Sequence, residues 1–519
     1  MQQLQGMDAS FIALDRPHAP MHIGSIVLYD PSTAPGGFVR FKDILSFIEA
    51  RLRLSKTMRQ RMVKVPFNID YPYWIEDPDF DLEYHVRHLA LPKPGDWRQL
   101  CIQTARVFAR PLDMTRPPWE ITVIEGLDGV EGVPKGSYAL VTKVHHSAID
   151  GMSGIDLMQA LHSPTPDTAP PNVPDEWRPE PLPGQVGLFA KGYVRGLVNP
   201  VRQLNVLRKT TPGLFRAVKG IAKKDYSLDP VRKTPRTRFN RTISSARVVE
   251  GCSFPLEGIK AIRSLSDGCK VNDVMLTIIG GALNRYLSEK NELPDESLTA
   301  MAPISVRAEN EKNQMGNQVA AMFVPLGSQI GDGIERLAYV HKQTQQSKAM
   351  TNALGARQMT EASKVSPQLY LGLGAQLFSR LGLANRMKPM FNTVVTNVPG
   401  PPVDIYSTGA RVVNMWGLLC LSDGLGLGHV VQSYKDKATI SFTACRKIMP
   451  DPEVYVGYIQ DSYDELAAAA GYKPKSASAA KPAAPKRKTT ATARKTPAKS
   501  KTTAAKRKAP TRQKTTTKS

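Results

Sequence analysis

Apolar positions along the chain fall into two blocks that mix strand and helix periods, separated by a stretch with neither. In the first block, about 1–162, Ser25–Tyr29 reads as a strand. Phe41, Ile44, Leu45, Ile48 and Leu52 then recur at helical spacing with charges between them. A second helix is predicted near Trp97–Ala109, and two strands, Glu120–Glu125 and Ser137–His145, flank a Gly-rich turn. In the second block, about 235–470, a helix starts at Asn272. Asn272 serves as N-cap and Val274, Met275, Ile278, Ile279, Ala282, Leu283, Tyr286 and Leu287 form a broad apolar face. Thr299–Ser305, Asn392–Asn397, His429–Tyr434 and Ala438–Thr443 read as strands, and Asp451-Pro452 opens a terminal helix with proline in its first turn. Both blocks mix the two element types, so the fold class is α/β.

The connector, 163–234, has two parts. Residues 163–184 are proline-rich and read as an extended linker. Residues 185–224 contain Lys and Arg but no Asp or Glu, interleaved with Val186, Leu188, Phe189, Tyr193, Val194 and further apolar residues. This pattern predicts short basic amphipathic helices. They are either a solvated connector, the commoner role, or a contact with an anionic lipid surface.

Length and charge refine this picture. At roughly 100–200 residues per domain, 519 residues make two or three domains. The net charge is +23, but residues 471–519 hold 16 Lys/Arg and no acid, leaving 53 basic against 46 acidic residues in the body. Basicity is thus chiefly a tail property, which weakens a nucleic-acid-binding reading of the whole chain. The Lys/Ala/Thr/Pro-rich tail is expected to be disordered. It either binds polyanions or anionic lipid non-specifically or simply solubilises the chain. No apolar run approaches the 18 residues of a membrane span; Val274–Leu283 and Val412–Leu421 are too short. The N-terminus lacks a signal-peptide pattern, and five scattered cysteines without a C-x-x-C pair fit reduced thiols, so a cytoplasmic location is expected.

The strongest chemical signal is His145-His146-Ser147-Ala148-Ile149-Asp150-Gly151. An H-H-x-x-x-D-G match arises by chance about once in a thousand chains of this size. It follows a strand and precedes Ser153-Gly154-Ile155-Asp156, which reads as a capping box opening a short helix. Continuing the strand alternation puts His146 on the face of Tyr138, Leu140, Thr142 and Val144 and His145 on the opposite face. One imidazole is therefore kept neutral in apolar surroundings, as a general base requires. Asp150 is a local organiser and Gly151 permits close backbone approach. A zinc site would need a third ligand, and His22, His85, His88 and His162 form no recognisable set. No nucleophile elbow is present.

The chain resembles the bacterial wax ester synthase/acyl-CoA:diacylglycerol acyltransferase family over about residues 4–467. Besides the histidine motif, the resemblance rests on Met7-Asp8-Ala9-Ser10-Phe11, Pro20-Met21-His22-Ile23-Gly24, Arg116-Pro117-Pro118-Trp119-Glu120 and Pro235-Arg236-Thr237. It continues through Asn272-Asp273-Val274-Met275-Leu276, Pro303-Ile304-Ser305-Val306-Arg307, Gly316-Asn317 and Thr396-Asn397-Val398-Pro399-Gly400-Pro401. One departure is Pro118, where the family commonly has Leu; it puts acyl-chain preference in question.

The resemblance implies two chloramphenicol-acetyltransferase-like halves with a tunnel at their interface. It implies transfer of a long-chain acyl group from acyl-CoA to diacylglycerol or a long-chain alcohol, with His146 as general base, His145 shaping the site and Asp150 pairing with Arg307. No covalent acyl-enzyme, cofactor or metal is expected. Asn272, Ser305, Asn397 and the backbone near Gly400 are the candidate oxyanion donors. The competing readings are a condensation-type acyltransferase with another acceptor, or a non-catalytic protein binding lipid or nucleic-acid surfaces. The expected setting is peripheral, at an anionic membrane face or a lipid droplet.

Overall fold

A computed structural model describes residues 1–4, 6–148, 160–169, 179, 181, 183–194, 233–305, 319–353, 374 and 376–473. Residues 1–474 form one compact unit built around two six-stranded sheets. The first sheet runs Tyr406–Ser407, Ala410–Leu418, His22–Asp30, Tyr138–His145, Trp119–Glu125, Val86–Ala90. All its neighbours are antiparallel except the last pair. The second runs Val319–Pro325, Thr299–Ser305, Thr393–Pro399, Leu427–Tyr434, Lys437–Cys445, Arg247–Pro255, with Thr393–Pro399 parallel to both neighbours. The predicted α/β class is the observed one.

The helix Val271–Glu289 forms because its apolar residues recur on nearly every face. Val274, Met275, Ile278, Ile279, Leu283, Tyr286 and Leu287 are all fully buried. Each such side chain contributes about 1.5–3 kcal/mol relative to exposure. Gly280 sits mid-helix, where glycine costs about 1 kcal/mol against alanine. The reason is close approach: a Cβ there would lie 2.1 Å from the Leu326 carbonyl oxygen. The cap differs from expectation. Lys270 is the N-cap and the Asp273 carboxylate accepts its N–H, while Asn272 lies one residue inside the first turn.

Two strands of the second block join the first sheet. Tyr406–Ser407 forms an edge of the first sheet, and Ala410–Leu418, also within the second block in sequence, pairs with His22–Asp30 there. Ala410–Leu418 packs flat on the second sheet as well. A Cβ at Gly417 would come within 2.4 Å of the Val430 side chain. Ser441 Oγ donates to the Gly417 carbonyl at 2.7 Å, and Thr439 Oγ1 to Met415 at 3.0 Å. Glycine and small hydroxyl residues thus let two sheets approach where larger side chains would hold them apart. Around this seam Trp97 from the first block packs on Trp416 at 4.6 Å and donates its indole N–H to the buried Glu250.

Of the basic connector, residues 185–194 are helical; the rest, the tail from 474 onward and the proposed capping box at Ser153 lie outside the described residues. Among the described residues no helix is long and apolar enough to cross a membrane.

Candidate active site at the histidine corner

Tyr138–His145 is buried along its whole length and hydrogen-bonded on both sides, so its end is fixed in space. The strand stops at His145, and His146–Ala148 turn into a 3-10 helix. His146 therefore does not continue the strand alternation, as the sequence pattern implied; the turn redirects it. Its N–H donates to the Met21 carbonyl at 2.8 Å, while the Met21 N–H donates to Asp15 Oδ1 at 2.9 Å. Met21 is itself buried in the core of the second block, beside Phe239 and Leu421. The corner thus sits on the seam between the halves. His18–Asp423 at 3.2 Å and Arg247 donating to the His18 carbonyl at 2.7 Å also cross that seam.

The two imidazoles have different surroundings. The Ser147 amide donates to His145 Nδ1 at 3.2 Å, and the Ser147 hydroxyl lies 2.7 Å from the same nitrogen. A neutral ring accepting at Nδ1 carries its proton on Nε2, which faces Asp15 Oδ1 at 4.0 Å. Burial, then the neighbouring His146 and Lys64, push His145 down to about 3. Its Nδ1 is committed to Ser147, while Nε2 is buried without a hydrogen-bond partner, turned toward Asp15.

The His146 ring lies flat on Phe11, with centroids 3.7 Å apart and planes 11° from parallel. Burial lowers it to about 4, opposed by its own backbone carbonyl acting on the ring. Nδ1 is sealed from solvent without a partner of ordinary geometry. With Nδ1 directed inward, Nε2 is the nitrogen left for chemistry. The ring is neutral at pH 7 and held by stacking, and among the described residues it has no charged partner. It can accept a proton without first losing one.

Behind the corner, buried Lys143 and His22 hold the end of the helix Trp97–Phe108. Lys143 Nζ donates to the Val107 and Arg110 carbonyls at 3.2 and 3.1 Å, and His22, opposite His145 in register, bonds Phe108 O at 2.5 Å. These carbonyls lie at and just past the helix end, where intrahelical donors run out. The His145 N–H donates to Pro118 O at 2.9 Å.

The other expected residues divide. Asn272 and Asn397 come together, with Asn397 Nδ2 donating to Asn272 Oδ1 at 3.3 Å; neither is hydrogen-bonded to His146. Ser305 ends the strand Thr299–Ser305. Asp150, Gly151 and Arg307 lie outside the described residues, and so does the expected Asp150–Arg307 pair. Two contributors carried no role in the sequence reading. Phe11 stood in a quoted motif without a partner, and Asp15 carried no signal at all, because its link to His145 runs through a loop.

Among the described residues, Cys269, Asp273 and His341 are grouped closely enough to hold a metal. Their donors are already used. Asp273 accepts from the Lys270 N–H at 3.0 Å, from Thr344 Oγ1 at 2.8 Å and pairs with His341 Nδ1 at 2.8 Å, and Gln345 Nε2 lies 2.7 Å from His341 Nε2. Burial and Asp273 push the Cys269 thiol up to about 11, away from a metal-binding thiolate. The group works as a helix cap.

Residues 4–275 match the wax ester synthase/diacylglycerol acyltransferase catalytic domain, and 315–467 match the C-terminal domain of the same family. The chain belongs to this family. A candidate diacylglycerol O-acyltransferase of Mycobacterium tuberculosis is 32% identical over 481 residues, covering 91% of this chain and 98% of the relative. The O-acyltransferase WSD of Acinetobacter baylyi is 29% identical over 476 residues, covering 89% and 96%. Among solved structures, the wax ester synthase/diacylglycerol acyltransferase from Marinobacter aquaeolei superposes with a TM-score of 0.62 at 26% identity, covering 91% of this chain and all of that one. A starter condensation domain of rhizomide synthetase, at 12% identity and a TM-score of 0.50 over 91% of this chain and 95% of that one, shares the fold. Pro118 is the position at which the sequence departed from the resemblance. Pro118 is buried, and its carbonyl is the one that receives the His145 N–H, so the departure lies against the histidine strand.

Proposed function

We propose that the protein transfers a long-chain acyl group from acyl-CoA to the hydroxyl of diacylglycerol or a long-chain alcohol, with His146 as general base. The observation that carries this reading is the neutral His146 ring, stacked on Phe11 at 3.7 Å and sealed at Nδ1. As the hydroxyl oxygen bonds to the thioester carbonyl carbon, its proton passes to Nε2. As the C–S bond breaks, the same proton passes to the departing thiolate. Proton transfer of this kind is worth about 10²–10⁴ in rate. The relay balances without a covalent acyl-enzyme, a cofactor or a metal, because acyl-CoA is itself the activated donor. His145, held through Ser147 and facing Asp15, shapes the corner. The bonded amides of Asn272 and Asn397 supply donors for the oxyanion, and Asp150 orders the corner.

The acceptors are water-insoluble, so the reaction belongs at an anionic membrane face or a lipid droplet, with the +16 tail as a non-specific polyanion-binding extension. The test is purified protein with labelled palmitoyl-CoA and competing hexadecanol and dioleoylglycerol, products resolved by class. Ester formed from either acceptor is expected; thioester hydrolysis alone would refute the reading.

A further inference from the structure

The helix 185–194 is turned the wrong way round for a soluble protein. Its buried residues are Leu188 and Gly192, one turn apart. Leu188 packs with Val65 and Tyr73, and a Cβ at Gly192 would lie 3.2 Å from Val65, Ile69 and Asp70. Its larger apolar residues face outward: Val186 is 83%, Phe189 40% and Tyr193 59% exposed. Phe67, 80% exposed, stands edge-on to Phe189, which stacks on Tyr193. Phe67 also has φ 58°, a left-handed backbone that a bulky residue adopts only under strain. Burial within the protein does not offset that strain.

We propose that Phe67, Phe189, Tyr193 and Val186 form a docking surface that inserts into a lipid surface carrying anionic headgroups; this rests on the acyl-transfer reading for its purpose. Charge complementarity selects lipid as the occupant. Lys64 and Lys191 are exposed beside the aromatic residues, and positions 191–224 carry nine Lys/Arg and no acid. Aromatic tips flanked by cations are the composition of an interfacial contact. Position also supports it. Lys64, three residues before Phe67, is close enough to act on the charge of both His145 and Asp15. Docking here brings the histidine corner to the lipid in which its acceptor is dissolved.

Purified full-length protein and the triple variant Phe67→Asn/Phe189→Ser/Tyr193→Ser are mixed with phosphatidylcholine:phosphatidylglycerol vesicles at low and at 0.5 M salt. Asn suits the left-handed position, and all three sites are exposed, so the variant's melting temperature is expected to stay within a few degrees. The wild type is expected to keep a salt-resistant part of its binding, and the variant to lose at least about tenfold of that part, with Phe67→Trp retaining it. Equal partitioning of wild type and variant at 0.5 M salt, no binding by the wild type, or a wild-type dimer that the variant disperses without loss of vesicle binding would each overturn the proposal. Acyl transfer to detergent-dispersed dioleoylglycerol is assayed on the same samples and is expected to agree within about twofold. Its absence from both, with vesicle binding as expected, sinks the acyl-transfer reading and leaves the docking surface standing.

Discussion

Phe11 covers one face of the His146 imidazole, 3.7 Å away and nearly parallel, so a residue from the N-terminal helix Gly6–Leu14 sets the environment of the central ring. The contact does two things. It fixes the ring plane, and it excludes water from one face, which contributes to the burial that lowers His146 to about 4.

Phe11→Ala should therefore change the pH profile as well as the rate. A stacked pair is worth about 0.5–1.5 kcal/mol, so kcat is expected to fall roughly two- to tenfold. The acid limb should move up toward the ordinary histidine value as the ring hydrates, and Phe11→Tyr should restore most of both. A rate loss with an unmoved limb would assign Phe11 to folding alone.

In the wild type, the acid limb of the rate should lie near pH 4. Stability should behave differently. His145 and His146 are depressed in the folded state, to about 3 and about 4, while the unfolded chain titrates near 6.5. Below about 6.5 the unfolded chain binds protons that the folded state refuses, so stability falls with pH until the folded values are reached. Burial also depresses His22 and His429, which adds to the slope. Denaturant midpoints should decrease steadily between about pH 6.5 and 5; a flat profile there would contradict these environments.

Much of this was legible in the sequence, and the exceptions have physical causes. The strand Thr299–Ser305 is observed as predicted, and the long helix begins one residue before Asn272, because alternation or helical spacing with clear end signals marks them. Ala410–Leu418 was passed over as an apolar run near Val412. It is buried on both faces between two sheets and bulged between Val412 and Asn414, which erases the alternation. The histidine motif located the corner, but His146's orientation depends on where the strand stops. The Asp15 contact depends on a loop returning to it, and neither is local in sequence.

Asp15 faces the protonated nitrogen of His145 at 4.0 Å and takes the Met21 N–H at 2.9 Å. Asp15→Ala should loosen the loop that also holds the His146 backbone. A three- to thirtyfold fall in kcat is expected, with Asp15→Asn, which can still accept from Met21, closer to wild type. Circular dichroism and initial rates on both variants check this.

Asn272 and Asn397 bond each other at 3.3 Å. If their amides serve the oxyanion as a unit, Asn272→Ala and Asn397→Ala should each lower kcat by about tenfold or more. The double variant should be much less impaired than the product of the two. Multiplicative losses in a double-mutant cycle would mean they act separately.

The central claim is that a neutral His146 moves the proton, and His146→Ala tests it most directly. Single-turnover rates with labelled palmitoyl-CoA and dioleoylglycerol, on a variant whose melting temperature matches the wild type, should fall at least about a hundredfold, while His145→Ala falls less. A folded His146→Ala protein that makes ester at near wild-type rate would contradict the account.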